Sequence, residues 1–183
     1  MTALVLCGGG SRRMGVDKTA ATLGGTTVLD HLLDALPASW AVVAVGPQRR
    51  TRRTVRWARE EPVGGGPVAA VAAALPLVTT ELVVVLAGDM PFAAPPALRL
   101  AAALRDLPAT EAVVASDPGG RANPLLAAYR TSSLRAALPQ PLDDAPARSL
   151  LALAHTTLPV SAEDSLDVDT PEALETARHR VAT

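Results

Sequence analysis

At 183 residues the chain is long enough for one domain whose core needs no metal or disulfide staple. A formal net charge of −1 gives no broad basic field, which argues against extended nucleic-acid binding, and no apolar run is long enough for a membrane span. Hydrophobic residues make up 49 % and aromatics only 2 %, so the core is built from Leu, Val and Ala, a mixture that suits a parallel sheet wrapped by alanine-rich helices.

The first element is the apolar run Leu4-Val5-Leu6, which reads as a buried parallel strand ending at Gly8. Gly8, Gly9 and Gly10 follow, then Ser11, Arg12, Arg13 and, after Gly15, Lys18. Successive backbone N–H groups at such a turn form an anion-binding concavity, and the three cations add charge around it. The natural guest is a nucleoside triphosphate. A P-loop is excluded because Val16 stands where its lysine must follow the second glycine. The dinucleotide fingerprint also fails, at Met14. Cys7 is the only cysteine; it reads as a buried small hydrophobe, excludes an internal disulfide and implies a reducing compartment. With no basic leader segment, a cytoplasmic protein is expected.

Ala20–Leu23 reads as a short extended piece and Gly24-Gly25 as a turn. Thr26 or Thr27 caps a helix through Val28, Leu29, Leu32, Leu33 and Leu36, ended by Pro37. Ala41–Val45 is a second apolar strand. The basic run 48–53 after it reads as a solvated face, with an anionic-substrate contact as the alternative, and 54–58 as a further strand. A second glycine cluster, Gly64-Gly65-Gly66, precedes the alanine-rich helix Val68–Leu75, with Pro67 at its start.

Glu81–Ala87 is continuously apolar after its first residue and should be the central strand. It ends in Gly88-Asp89-Met90-Pro91. Ligands of open α/β sheets sit beyond the carboxyl ends of the strands, so Asp89 faces the same crevice as the glycine loop. A carboxylate there would repel a triphosphate unless Mg²⁺ intervened, and Mg²⁺ favours one or two carboxylates plus phosphate oxygens. Pro95 or Pro96 opens the next helix, Ala112–Ser116 and Pro124–Tyr129 are strands about the turn 117–121, and Ser132–Leu138 is helical. Arg121 and Asn123, near the start of the second of these strands, are either acceptor contacts or turn residues. The proline-rich segment Pro139–Pro146 is either a cover for the acceptor site or a connector, and Arg148–Ala154 a short helix. His31, His155 and His179 lack partners at catalytic spacing and read as helix-surface or helix-end residues. Asp167 and Asp169 alternate along an extended stretch and so share one face. Asp169 or Thr170 then caps a helix with Pro171 at its first turn.

The run Leu6-Cys7-Gly8-Gly9-Gly10-Ser11-Arg12-Arg13-Met14-Gly15-Val16-Asp17-Lys18 resembles the signature loop of the MobA-like nucleotidyltransferases, departing from it at Cys7, where alanine is usual. Further resemblances are Gly66-Pro67-Val68-Ala69-Ala70, Gly88-Asp89-Met90-Pro91, Pro124–Arg130 and Asp167-Val168-Asp169-Thr170-Pro171-Glu172. The resemblance implies a Rossmann-like three-layer α/β/α fold with a mostly parallel central sheet, of the nucleotide-diphospho-sugar transferase type, spanning 1–183 as one domain. It implies transfer of GMP from GTP to molybdopterin with release of pyrophosphate, or the same chemistry with CTP or another small phosphorylated acceptor, and molybdoenzyme assembly partners. A non-catalytic nucleotide-binding module is the reading of another class. By the same resemblance Leu6, Cys7, Gly8, Gly9, Gly10, Ser11, Arg13, Lys18, Glu61 (of the pair Glu60 and Glu61) and Gly66 contact the nucleotide. Arg13, Lys18 and Asp89 carry the catalysis. Mg²⁺ sits on Asp89 with Asp169, Asp167 being the weaker candidate, and Arg121, Asn123 and Asp167 face the acceptor. The asparagine that guanine-specific members often carry after the second strand is missing from Val43-Ala44-Val45-Gly46.

Overall fold

Thr2–Leu6 forms β1, and its alternation sends Ala3 and Val5 to one face of a sheet and Leu4 and Leu6 to the other, both of them covered by apolar side chains. A strand buried on both faces has no polar side, which is why the run is continuously hydrophobic. In the computed structural model, which describes residues 1–8, 17–142 and 144–182, the chain continues through β2 (Thr22–Leu23), β3 (Thr26–Thr27), α1 (Val28–Ala35), β4 (Ala41–Val45), β5 (Arg56–Ala58) and α2 (Gly66–Ala74). It then forms β6 (Leu82–Ala87), α3 (Ala94–Asp106), β7 (Ala112–Ser116), β8 (Ala122–Arg130), α4 (Thr131–Ala136), β9 (His155–Pro159) and α5 (Pro171–Ala182).

Seven strands pair in the order β5-β4-β1-β6-β8-β7-β9, with β6 at the centre as its sequence suggests. β8 runs against both of its neighbours, and the remaining pairs are parallel. Leu29, Leu32 and Leu33 of α1 and Ala97, Leu100 and Leu104 of α3 cover one face. Val68, Val71 and Ala74 of α2, with Leu134 of α4 and Leu150, cover the other. The result is three layers. α5 packs against the β2–β3 hairpin through Leu174 and Ala177, in a satellite cluster with Leu23, Val28, Phe92 and Val168.

Local chemistry sets the boundaries. Thr27 caps α1, its Oγ1 accepting from the Asp30 N–H at 3.0 Å, and Asp30 Oδ1 in turn accepts from the Arg52 N–H at 3.0 Å. Arg53 donates to the carbonyls of Leu33, Leu36 and Pro37 and also to Trp40 O, satisfying the last turn of α1 and the chain beyond it. The basic run is therefore not uniformly solvated: Gln48, Arg50 and Arg52 are exposed, whereas Arg49 and Arg53 turn inward. Two further expectations are corrected. The segment after Pro146 is a 3-10 turn, Ala147–Ala152, and His155 opens β9 rather than ending a helix.

Candidate active site

The carboxyl ends of β1 and β6 meet at a point where no side chain fits. Gly88 donates its N–H to Leu6 O at 2.8 Å, and a Cβ on Gly88 would stand 2.9 Å from that oxygen and 3.2 Å from Cys7 Sγ. This close approach brings Asp89 beside the start of the glycine loop. Lys18, on the 3-10 turn Lys18–Ala20, reaches across so that its Nζ lies 3.9 Å from Asp89 Oδ2 and 4.0 Å from Asp169 Oδ2. Asp169 is delivered by the extended stretch before α5, which the Val168 N–H ties to Asp89 O at 2.8 Å. Val168 is buried, so Asp167 and Asp169 fall on the opposite side of the stretch, as the alternation requires. Burial pushes the Asp89 carboxyl up; Lys18 pulls it back down, and Asp167 and Asp169 add repulsion. The cluster places one ammonium between two carboxylates at the mouth of the sheet.

Glu60, after β5, is 7 % exposed, and its Oε1 would be 3.4 Å from a Cβ on Gly8. That oxygen accepts from the Gly64 N–H at 3.3 Å, while Oε2 is buried with no hydrogen-bond partner. Sequence reasoning points to Glu61, but the structure leaves Glu61 exposed and turns Glu60 toward the loop. The two neighbours point opposite ways, and only the fold tells them apart. Gly66 opens α2 at a φ of +89°, a left-handed conformation suited to glycine, and lies under the carbonyl of Ala145. The Asp144 N–H donates to Gly65 O at 3.0 Å, so the proline-rich segment rests on the second glycine cluster.

The remaining candidates divide. Asn123 sits at the same end of the sheet, its Nδ2 4.0 Å from Met90 Sδ, while its Oδ1 accepts from the Leu125 N–H at 2.9 Å. Arg121 is exposed on the β7–β8 turn, where its N–H donates to Asp117 Oδ1. Cys7 is buried and its thiol is pushed up to about 12, chiefly by burial, so it packs as a hydrophobe. Gly9, Gly10, Ser11 and Arg13 lie outside the described residues. Arg49, which the sequence left within a basic run, donates to Asp17 Oδ2 at 2.5 Å directly beside Lys18. Among the described residues no helix is long and apolar enough to cross a membrane.

Residues 3–160 match the MobA-like NTP transferase domain. The chain belongs to this family. Among its relatives is a probable molybdenum cofactor guanylyltransferase of Natronomonas pharaonis, 29 % identical over 201 aligned residues that cover 99 % of this chain and 98 % of that one. A protein of the same description from Opitutus terrae is 38 % identical over 98 residues, half of this chain and 48 % of its own. Of solved structures, the molybdopterin-guanine dinucleotide biosynthesis protein A of Archaeoglobus fulgidus superposes with a TM-score of 0.74 at 25 % identity, covering 100 % of this chain and 99 % of that one. The 2-C-methyl-D-erythritol 4-phosphate cytidylyltransferase of Thermus thermophilus shares the fold, with a TM-score of 0.70 at 20 % identity over 100 % and 98 % of the two chains. This MobA-like chain is thus a nucleotidyltransferase with the nucleotide-diphospho-sugar transferase fold, and the Lys18–Asp89 cluster stands at the ligand end of its sheet.

Proposed function

We propose that the protein transfers GMP from GTP to molybdopterin, acting as one catalytic domain in the cytoplasm and handing its product to molybdoenzyme assembly partners. The observation that carries this reading is Lys18 Nζ held within 4.0 Å of both Asp89 and Asp169 at the sheet's carboxyl end. An oxygen of the acceptor phosphate attacks the α-phosphorus of GTP, the bond from that phosphorus to the bridging oxygen breaks, and pyrophosphate leaves with the electron pair. Lys18 neutralises the triphosphate, together with Arg13, and the Gly8–Gly10 amides hold its oxygens. The acceptor phosphate is already ionised near neutral pH, so no side chain has to remove a proton.

Magnesium suits this donor set. Among the described residues no three His, Cys, Asp or Glu side chains cluster to hold a metal by themselves, and Mg²⁺ characteristically takes one or two carboxylates and completes its shell with phosphate oxygens and water. Asp89 and Asp169 would hold it, and it would supply charge neutralisation on the phosphates. The choice of guanine is supported by Glu60: a buried carboxylate with an idle oxygen matches the adjacent N1–H and N2–H donors of guanine, whereas cytosine presents a single amino group. Release of pyrophosphate from purified protein with molybdopterin and each NTP in turn tests the assignment. Release with GTP supports it, a preference for CTP replaces it with cytidylyl transfer, and no release with any NTP removes it.

A further inference from the structure

The turn that carries Lys18 is organised by its neighbour. Asp17 Oδ1 accepts from the Thr19 N–H at 3.0 Å and from Thr19 Oγ1 at 2.7 Å. The other oxygen of Asp17 accepts from Arg49 Nη1, and the same nitrogen lies 2.7 Å from Thr19 Oγ1. One guanidinium, delivered from beyond β4, thus grips the residues on both sides of Lys18.

Arg49 is itself built in. Its side chain is 20 % exposed, its Nε donates to Pro47 O at 3.4 Å, and its guanidinium carbon stands 5.9 Å from the Trp57 ring centroid. Its Nη2 is buried without a hydrogen-bond partner. Burying a donor in that state is unfavourable, and the bonds made by Nε and Nη1 offset it. A lysine at this position has no planar fork with which to reach carboxylate and hydroxyl together.

We infer that Arg49 is a positioning residue that sets where the Lys18 ammonium stands by clamping Asp17 and Thr19. The inference rests on the nucleotidyltransferase reading for its consequence, which is tighter capture of the triphosphate, but its structural half can be tested without nucleotide. Binding of Mg-GTP is measured for wild type, Arg49→Ala, Lys18→Ala and the double variant, with Arg49→Lys as the charge-retaining control. Arg49→Ala weakens binding about tenfold in the wild-type background and less than about twofold once Lys18 is gone, because residues acting as a unit are not additive. Arg49→Lys recovers part of the loss.

Amide hydrogen exchange is followed in parallel. In Arg49→Ala, and in Arg49→Lys if the alanine variant does not fold, Thr19, Ala20 and Ala21 exchange faster while α1 and β4 keep their protection. Equal losses in both backgrounds, or unchanged exchange at the three amides, overturn the inference. A wild-type chain that binds no nucleotide overturns the guanylyltransferase reading instead, and the exchange result still decides the role of Arg49.

Discussion

Lys18, Asp89 and Asp169 were legible in the sequence because each is tied to a local signal: a glycine loop, the end of an apolar strand, an extended stretch before a proline-started helix. Glu60 was not, since Glu60 and Glu61 are chemically equal and their directions depend on how the chain leaves β5. Arg49 hid in a basic run whose usual meaning is solvation. Under the proposed guanine reading, replacing Glu60 by Gln should lower the ratio of kcat/KM for GTP over CTP at least about tenfold, because one of the two acceptor oxygens offered to the base becomes a donor. The same change keeps an oxygen to accept from the Gly64 N–H and breaks no hydrogen bond at Oε2, which has none, so thermal melting should not drop. Cys7 makes a second residue-scale test. Burial raises its thiol to about 12, so the native protein should resist iodoacetamide at pH 8 and react only when unfolded. The linkage follows: the unfolded thiol ionises at lower pH than the folded one, so this group's contribution to stability is intact at neutral pH and is lost as pH rises from the ordinary thiol value toward 12. A denaturant series across that range reads it.

Among the elements, β1, β4 and β7 follow their apolar runs residue for residue or nearly so, because a strand buried on both faces advertises itself. β9 does not. His155-Thr156-Thr157-Leu158-Pro159 is largely exposed along an edge, and its pairing with β7 comes from register rather than from its own hydrophobicity. Arg148–Ala154 reads as a short helix, whereas the chain forms a 3-10 turn over Ala147–Ala152, for a related reason: so short a segment is too brief for periodicity to separate the two. At this scale the sharpest test is the junction of β1 and β6. Gly88→Ala forces a methyl against Leu6 O and Cys7 Sγ, which are backbone and buried sulfur and have little room to yield. A loss of about 1–3 kcal/mol in urea unfolding is expected, with nucleotide affinity falling in step because Asp89 is the next residue.

For the whole molecule, composition and the run of elements pointed to a parallel sheet wrapped by helices, and the family resemblance supplied the three layers. The tight turn at 117–121 was legible, and in the structure it joins β7 and β8 as an antiparallel pair. What remained hidden was that β8 inserts between β6 and β7, since strand order is set by long-range packing that leaves no local mark. A ligand bound across elements so far apart in sequence should stabilise them together: Mg-GTP at a hundred times its Kd adds about 2.7 kcal/mol to folding. A calorimetric melt should show that gain in the wild type and lose most of it in Lys18→Ala at the same nucleotide concentration.

The two outermost strands carry a different lesson. β5 is three residues long and begins with Arg56, and β9 ends in Pro159, which has no N–H to offer. Sheets whose rims are short, charged or proline-ended give a second chain little to zip onto. A broad, strongly apolar sheet thus ends on both sides in strands that are poor templates for further pairing.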